Sequence, residues 1–153
     1  MTLSELLNKE LVLPKIDCSS KNEMINMLVE RIYSKYPAFS IPKMDVLNSI
    51  EIREQIGGTL LPSGLSIPHA RLKDYDGFTI ALATPKEILY CGEQQIRMMA
   101  LMITSQSGIP WYLSALAAIS KISRNTEYFS RLCGTDTRDD FFSTLAENNP
   151  VLD

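Results

Sequence analysis

One histidine, His69, occurs in this 153-residue chain, and its neighbours are of the types that would let an imidazole react. It closes the stretch REQIGGTLLPSGLSIPHAR, residues 53–71, which Arg53 opens and Arg71 ends. A histidine is part neutral near pH 7, so its free ring nitrogen can attack a phosphorus or carbon centre. Phosphoryl transfer asks a protein mainly for positioning and for cations, which is what one imidazole between two arginines offers. The segment also has reasons to hold its path. Gly57-Gly58 breaks a preceding helix, and Pro62-Ser63-Gly64 makes a turn. Pro68 forces Ile67 into extended backbone. If the chain stays extended, His69 and Arg71 point to the same side. The alternative for such a residue is a structural histidine on a loop.

Other chemistries fit poorly. Cys18, Cys91 and Cys133 are far apart and odd in number, matching neither a disulfide framework nor zinc spacing; free or buried thiols in a reducing compartment are expected, and no metal. No serine lies in a G-x-S-x-G elbow, which speaks against a hydrolase of that type.

The pattern Arg53-Glu54, Gly57-Gly58-Thr59, Gly64 and Ile67-Pro68-His69 resembles the active-site segment of enzyme IIA domains of the fructose/mannitol class. These belong to the phosphoenolpyruvate-dependent phosphotransferase system, and the nitrogen-regulatory IIA proteins share the segment. The resemblance implies that His69 is a tele-phosphohistidine intermediate that accepts its group from the phosphocarrier protein HPr. It implies that Arg53 is catalytic beside the phosphate, and that Arg71, Tyr112, Thr59 and Glu54 are binding residues, with no cofactor. A IIB component or a regulatory target would be the onward partner. Two departures stand out. Leu60 and Pro62 occupy loop positions where the family usually has more glycine. Tyr112 falls where many members carry a second histidine at the start of a later helix.

These residues need elements to place them. Leu3–Leu7 reads as a helical turn and Leu11–Ile16 as a strand, at an edge or ending early because of Pro14. Ser20 to Glu23 is a capping box for a helix reaching about Tyr36. A second helix after Pro42 buries Val46, Leu47, Ile50 and Ile52 and delivers Arg53 and Glu54 at its last turn. A cation there is favoured by the helix dipole alone. Glu54 is either a partner orienting Arg53 or another loop group, or a plain exposed charge. After an Asp74–Gly77 turn, Phe78–Thr84 alternates as a strand stopped by Pro85. Ile96–Thr104 is short and almost continuously apolar, as a central strand covered on both faces would be. Pro110 belongs in the first turn of a helix to about Ser123 that turns Leu113, Leu116, Ala117 and Ile119 inward. Trp111 is expected to pack, or else to rim a partner site. Asn125 and Thr137 cap the last two helices, and the tail 148–153 is expected to be loose.

Strands alternating with helices predict a single-domain three-layer α/β/α sandwich, a mixed β-sheet flanked by helices, spanning 1–153 with a core of about 3–147. Family resemblance implies the same fold with the histidine at the sheet edge. Hydrophobic residues at 45% and charged ones at 22% are those of a globular protein. A net charge of −3 argues against nucleic acid. Apolar runs are too short for membrane insertion and the N-terminus is not a signal peptide, so a cytoplasmic protein is expected. Within the phosphoryl-carrier reading, a nitrogen-regulatory type is favoured because no permease segment is fused to the domain. Alternatives are a sugar-transport IIA component and a degenerate IIA-like binding module without phosphotransfer.

Overall fold

The computed structural model describes residues 1–37, 39–57 and 59–152. Along the chain lie Leu3–Leu6 (α1), a 3-10 turn at Lys9–Leu11, Val12–Ile16 (β1), Lys21–Lys35 (α2) and Lys43–Ile56 (α3). Leu65–Ser66 (β2), His69–Arg71 (β3), Phe78–Pro85 (β4), Leu89–Cys91 (β5), Gln94–Ile96 (β6) and Met98–Thr104 (β7) follow. Ile109–Arg124 (α4), Thr126–Cys133 (α5) and Arg138–Ala146 (α6) complete it. Side-chain caps start three helices where the sequence places them. Ser20 Oγ accepts from Glu23 N at 3.1 Å, Asn125 Oδ1 from Tyr128 N at 3.3 Å, and Thr137 Oγ1 from Asp140 N at 3.0 Å. Each satisfies an amide that the helix itself leaves unpaired.

Strand β7 is the centre. All seven of its residues are buried, and the sheet runs in the order β1-β4-β7-β2, with β3 also on β7. The sheet is mixed: β4 and β7 are antiparallel, while β1 with β4, and β2 and β3 with β7, are parallel. Period-2 alternation splits the core into two layers. Met98, Ala100 and Met102 of β7, with Ile80 and Leu82 of β4, meet α1, α4, α5 and α6. Met99, Leu101 and Ile103, with Ala81 and Ala83, meet α2 and α3. The result is one α/β domain with helices on both faces. Pro14 lies in β1, an edge strand, where its missing N–H costs no ladder bond.

Several expectations are corrected. The apolar run is broken at Arg97, which separates β6 from β7, and β4 runs through Pro85. In α3 the buried residues are Val46 and Ile50; Leu47 is half-buried and Ile52 is 60% exposed. In α4 the buried face is Ala115, Ala118, Ile119, Ile122 and Ser123, whereas Leu113 is 55% and Trp111 43% exposed and Ala117 is exposed. The tail is tied down. Leu3 N donates to Pro150 O at 2.9 Å, Leu152 N donates to Met1 O at 2.8 Å, and Leu152 is buried. The cysteines are free thiols; burial pushes that of Cys133 up to about 12. The helix after Pro42 does end before Gly57, while Gly58 lies outside the described residues. No helix among the described residues is long and apolar enough to cross a membrane.

Candidate functional site

His69 begins β3, at the side of the sheet away from β1, in register with Met102 of β7. The segment leading to it is a small hairpin. Ile67 N donates to Thr59 O at 3.0 Å and Leu61 N to Leu65 O at 2.9 Å, around the turn closed by Gly64 N to Leu61 O at 2.9 Å. Gly64 has φ +95, a backbone that side chains rarely adopt, and a Cβ there would lie 2.8 Å from Arg97 Cγ. Pro68 O accepts from Met102 N at 3.0 Å, so the residue before the histidine is already locked to the central strand.

The imidazole is half-buried and its Nδ1 lies 3.4 Å from Ile67 O. A carbonyl only accepts, so this contact is a hydrogen bond in the tautomer that protonates Nδ1 and leaves the lone pair on Nε2. Burial holds the imidazole below its usual pKa. The Ile67 carbonyl and Glu54 pull the other way, and the Arg53 charge adds to the lowering. The ring is therefore neutral, and nucleophilic, to lower pH than an exposed histidine.

Around it opens a cleft of about 470 Å³. Arg53 and Arg71 supply cations, and Tyr112 stands from the first turn of α4 with its ring centroid 5.4 Å from that of His69. Burial pushes the Tyr112 phenol above its usual pKa, and the Arg53 charge opposes this. Arg53 donates from Nη1 to Gly57 O at 3.2 Å, and Arg71 donates from Nη2 to Gln106 Oε1. His69 and Arg71 both line the cleft while Ala70 between them is buried, as alternation requires.

Two of the other residues singled out lie behind the cleft. Thr59 Oγ1 donates to Glu54 Oε1 at 2.9 Å, and Lys21 Nζ donates to Glu54 Oε2 at 3.0 Å. Glu54 is thus a partner of the loop rather than a free surface charge. The sequence reading missed the apolar rim. Ile52, Ile56, Ile109 and Leu113 line the cleft; Ile56 is 77% exposed. The signal was present as apolar residues off the buried stripes of α3 and α4. Among the described residues no His/Cys/Asp/Glu cluster could hold a metal ion.

The fold and cleft define a single α/β domain that presents one imidazole and two guanidinium groups beside its central strand. The chain belongs to the family described as phosphoenolpyruvate-dependent sugar phosphotransferase system, EIIA 2, whose model matches residues 5–148; these are phosphoryl-transfer proteins. It is 21% identical to a nitrogen regulatory protein of Escherichia coli (strain K12), over 100% of this chain and 94% of that one. Its fold matches nitrogen regulatory protein IIA-Ntr from Neisseria meningitidis with a TM-score of 0.76 at 17% identity, covering 94% of this chain and 98% of that one. It also matches a chain of the Escherichia coli complex of enzyme IIAMTL with phosphorylated enzyme IIBMTL, with a TM-score of 0.72 at 16% identity, covering 93% and 98%.

Proposed function

We propose that this chain, as one EIIA domain acting in the cytoplasm, carries a phosphoryl group on Nε2 of His69. It receives the group from phosphorylated HPr and either passes it on or signals by its phosphorylation state. The observation that carries this is the Nδ1 contact to Ile67 O, which leaves Nε2 as the nucleophilic nitrogen of a half-buried, neutral ring. As the Nε2–P bond forms, the bond from phosphorus to the donor breaks, and Nδ1 keeps its proton. Arg53, Arg71 and the Tyr112 hydroxyl offset the charge that arrives in the cleft. Exposed Ile52, Ile56 and Leu113 around that cleft suit a protein donor, since a small anion would gain nothing from them.

The nitrogen-regulatory type is favoured because the curated relatives, matched along nearly their whole length, are nitrogen regulatory proteins. The transport type keeps one observation on its side, the equally extensive fold match to the IIA partner of a IIB protein. Phosphoenolpyruvate, enzyme I and HPr should yield an acid-labile, alkali-stable adduct that His69→Ala abolishes. A wild-type protein left unlabelled by a compatible HPr would leave only the degenerate binding module.

A further inference from the structure

Glu54 and Thr59 do not line the cleft, yet a continuous set of hydrogen bonds leads from them to the reacting ring. Lys21 Nζ and Thr59 Oγ1 both donate to the Glu54 carboxylate, at 3.0 and 2.9 Å. The Lys21 and Glu54 side chains are only 20% and 16% exposed, so the pair is sheltered from competing water. Thr59, its hydroxyl held in this way, offers its carbonyl to Ile67 N at 3.0 Å. Ile67, 4% exposed, offers its own carbonyl to His69 Nδ1 at 3.4 Å.

The last contact is long for a hydrogen bond, so its hold on the ring depends on where the Ile67 carbonyl is kept. Proline at position 68 fixes one side of that peptide unit, and Pro68 O is bonded to the central strand. On its other side Ile67 is fixed by Thr59, and Thr59 by α3 and α2 through Glu54 and Lys21.

We infer that Glu54 is a positioning residue which, through Thr59 and the Ile67 carbonyl, selects the Nδ1-protonated tautomer of His69 and so directs reaction to Nε2. The inference rests on the proposed carrier function for its purpose, but its structural part does not. Loosening Thr59 lets the Ile67 carbonyl drift from Nδ1, and the neutral imidazole then divides between its two tautomers. Part of the population presents a protonated Nε2, which cannot attack.

The test is read in the unphosphorylated, ¹⁵N-labelled full chain at a pH where His69 is neutral, from the two ring-nitrogen resonances. Wild type should show one tautomer, protonated at Nδ1. Thr59→Val and Glu54→Gln should move both resonances toward the averaged values of a free imidazole, and Thr59→Ser should restore the wild-type pattern. Transfer from HPr should fall about three-fold to ten-fold in the first two variants and recover in the third. Thermal midpoints report whether each variant is folded; if Thr59→Val is not, Glu54→Gln decides. An unchanged ring-nitrogen spectrum in a folded Thr59→Val or Glu54→Gln protein overturns the inference. A shifted spectrum in a protein that HPr never labels would instead uphold the tautomer device and remove the carrier function.

Discussion

At the scale of single residues, the cleft divides its work unequally. Arg53 carries a full charge whose field both His69 and Tyr112 feel, whereas Tyr112 brings a neutral donor. Arg53→Ala should therefore slow phosphorylation by about ten-fold to a thousand-fold, or ~1.4–4 kcal/mol of transition-state stabilisation. Tyr112→Phe should slow it by only about ten-fold, near the lower end for a net hydrogen bond to a charged group (~1.5 kcal/mol). Tyr112→His should hold or raise the rate, most clearly below neutral pH where an imidazole charges. Single-turnover labelling from phosphorylated HPr orders the variants. Equal rates for Tyr112→Phe, Tyr112→His and wild type would make Tyr112 a packing residue. The ion pair Lys21–Glu54, by contrast, lies outside the cleft.

At the scale of elements, α4 must be held so that Tyr112 meets His69, and a knot beneath its first turn does this. Ser105 Oγ donates to Gly77 O at 3.1 Å and accepts from Gly77 N at 3.0 Å and Gly108 N at 3.2 Å, while Ser107 Oγ donates to Asp76 Oδ1 at 2.5 Å. Gly108 is packed so closely that a Cβ would lie 2.1 Å from Gly77 O, so even alanine must push α4 away. Gly108→Ala should cost ~1–3 kcal/mol, lower the thermal midpoint by roughly 3–10 °C, and slow labelling of the protein that stays folded. An unaltered melting curve would mean that the loop relaxes freely. Nothing in the sequence announces this contact, because it joins two turns some thirty positions apart. Strand β7 and the caps Ser20, Asn125 and Thr137 were legible, since alternation and capping are local physics. The inward face of α4 was not. Apolar side chains cover more than one face of that helix, and periodicity counts them without saying which face meets the sheet. Leu113 was assigned to the core for that reason, as was Ile52 on α3, and both rim the site instead.

At the scale of the whole molecule, the two chain ends close on each other. Thr2 bridges Val151, and Asn149 accepts from Ser4 N through Oδ1 at 3.1 Å and donates to Ser4 Oγ through Nδ2 at 2.6 Å. The tail follows the last helix and opens on two asparagines and a proline, so a loose end was the natural reading; backbone pairing leaves no trace in residue type. Removing residues 148–153 exposes the buried Leu3 and deletes Leu152, and should cost about 2–3 kcal/mol, seen as a midpoint lowered by roughly 5–10 °C. His69 should still be labelled in the folded fraction, because the tail does not line its cleft. A midpoint that does not move would show the pairing to be idle. The sheet order has a further consequence, in time rather than in space. Strand β3 pairs with β7, and Tyr112 comes later still. A chain emerging from the ribosome N-terminus first makes His69 before β7 and α4, which complete its setting. A nascent chain cut short before residue 98 therefore bears the histidine without β7 to orient it.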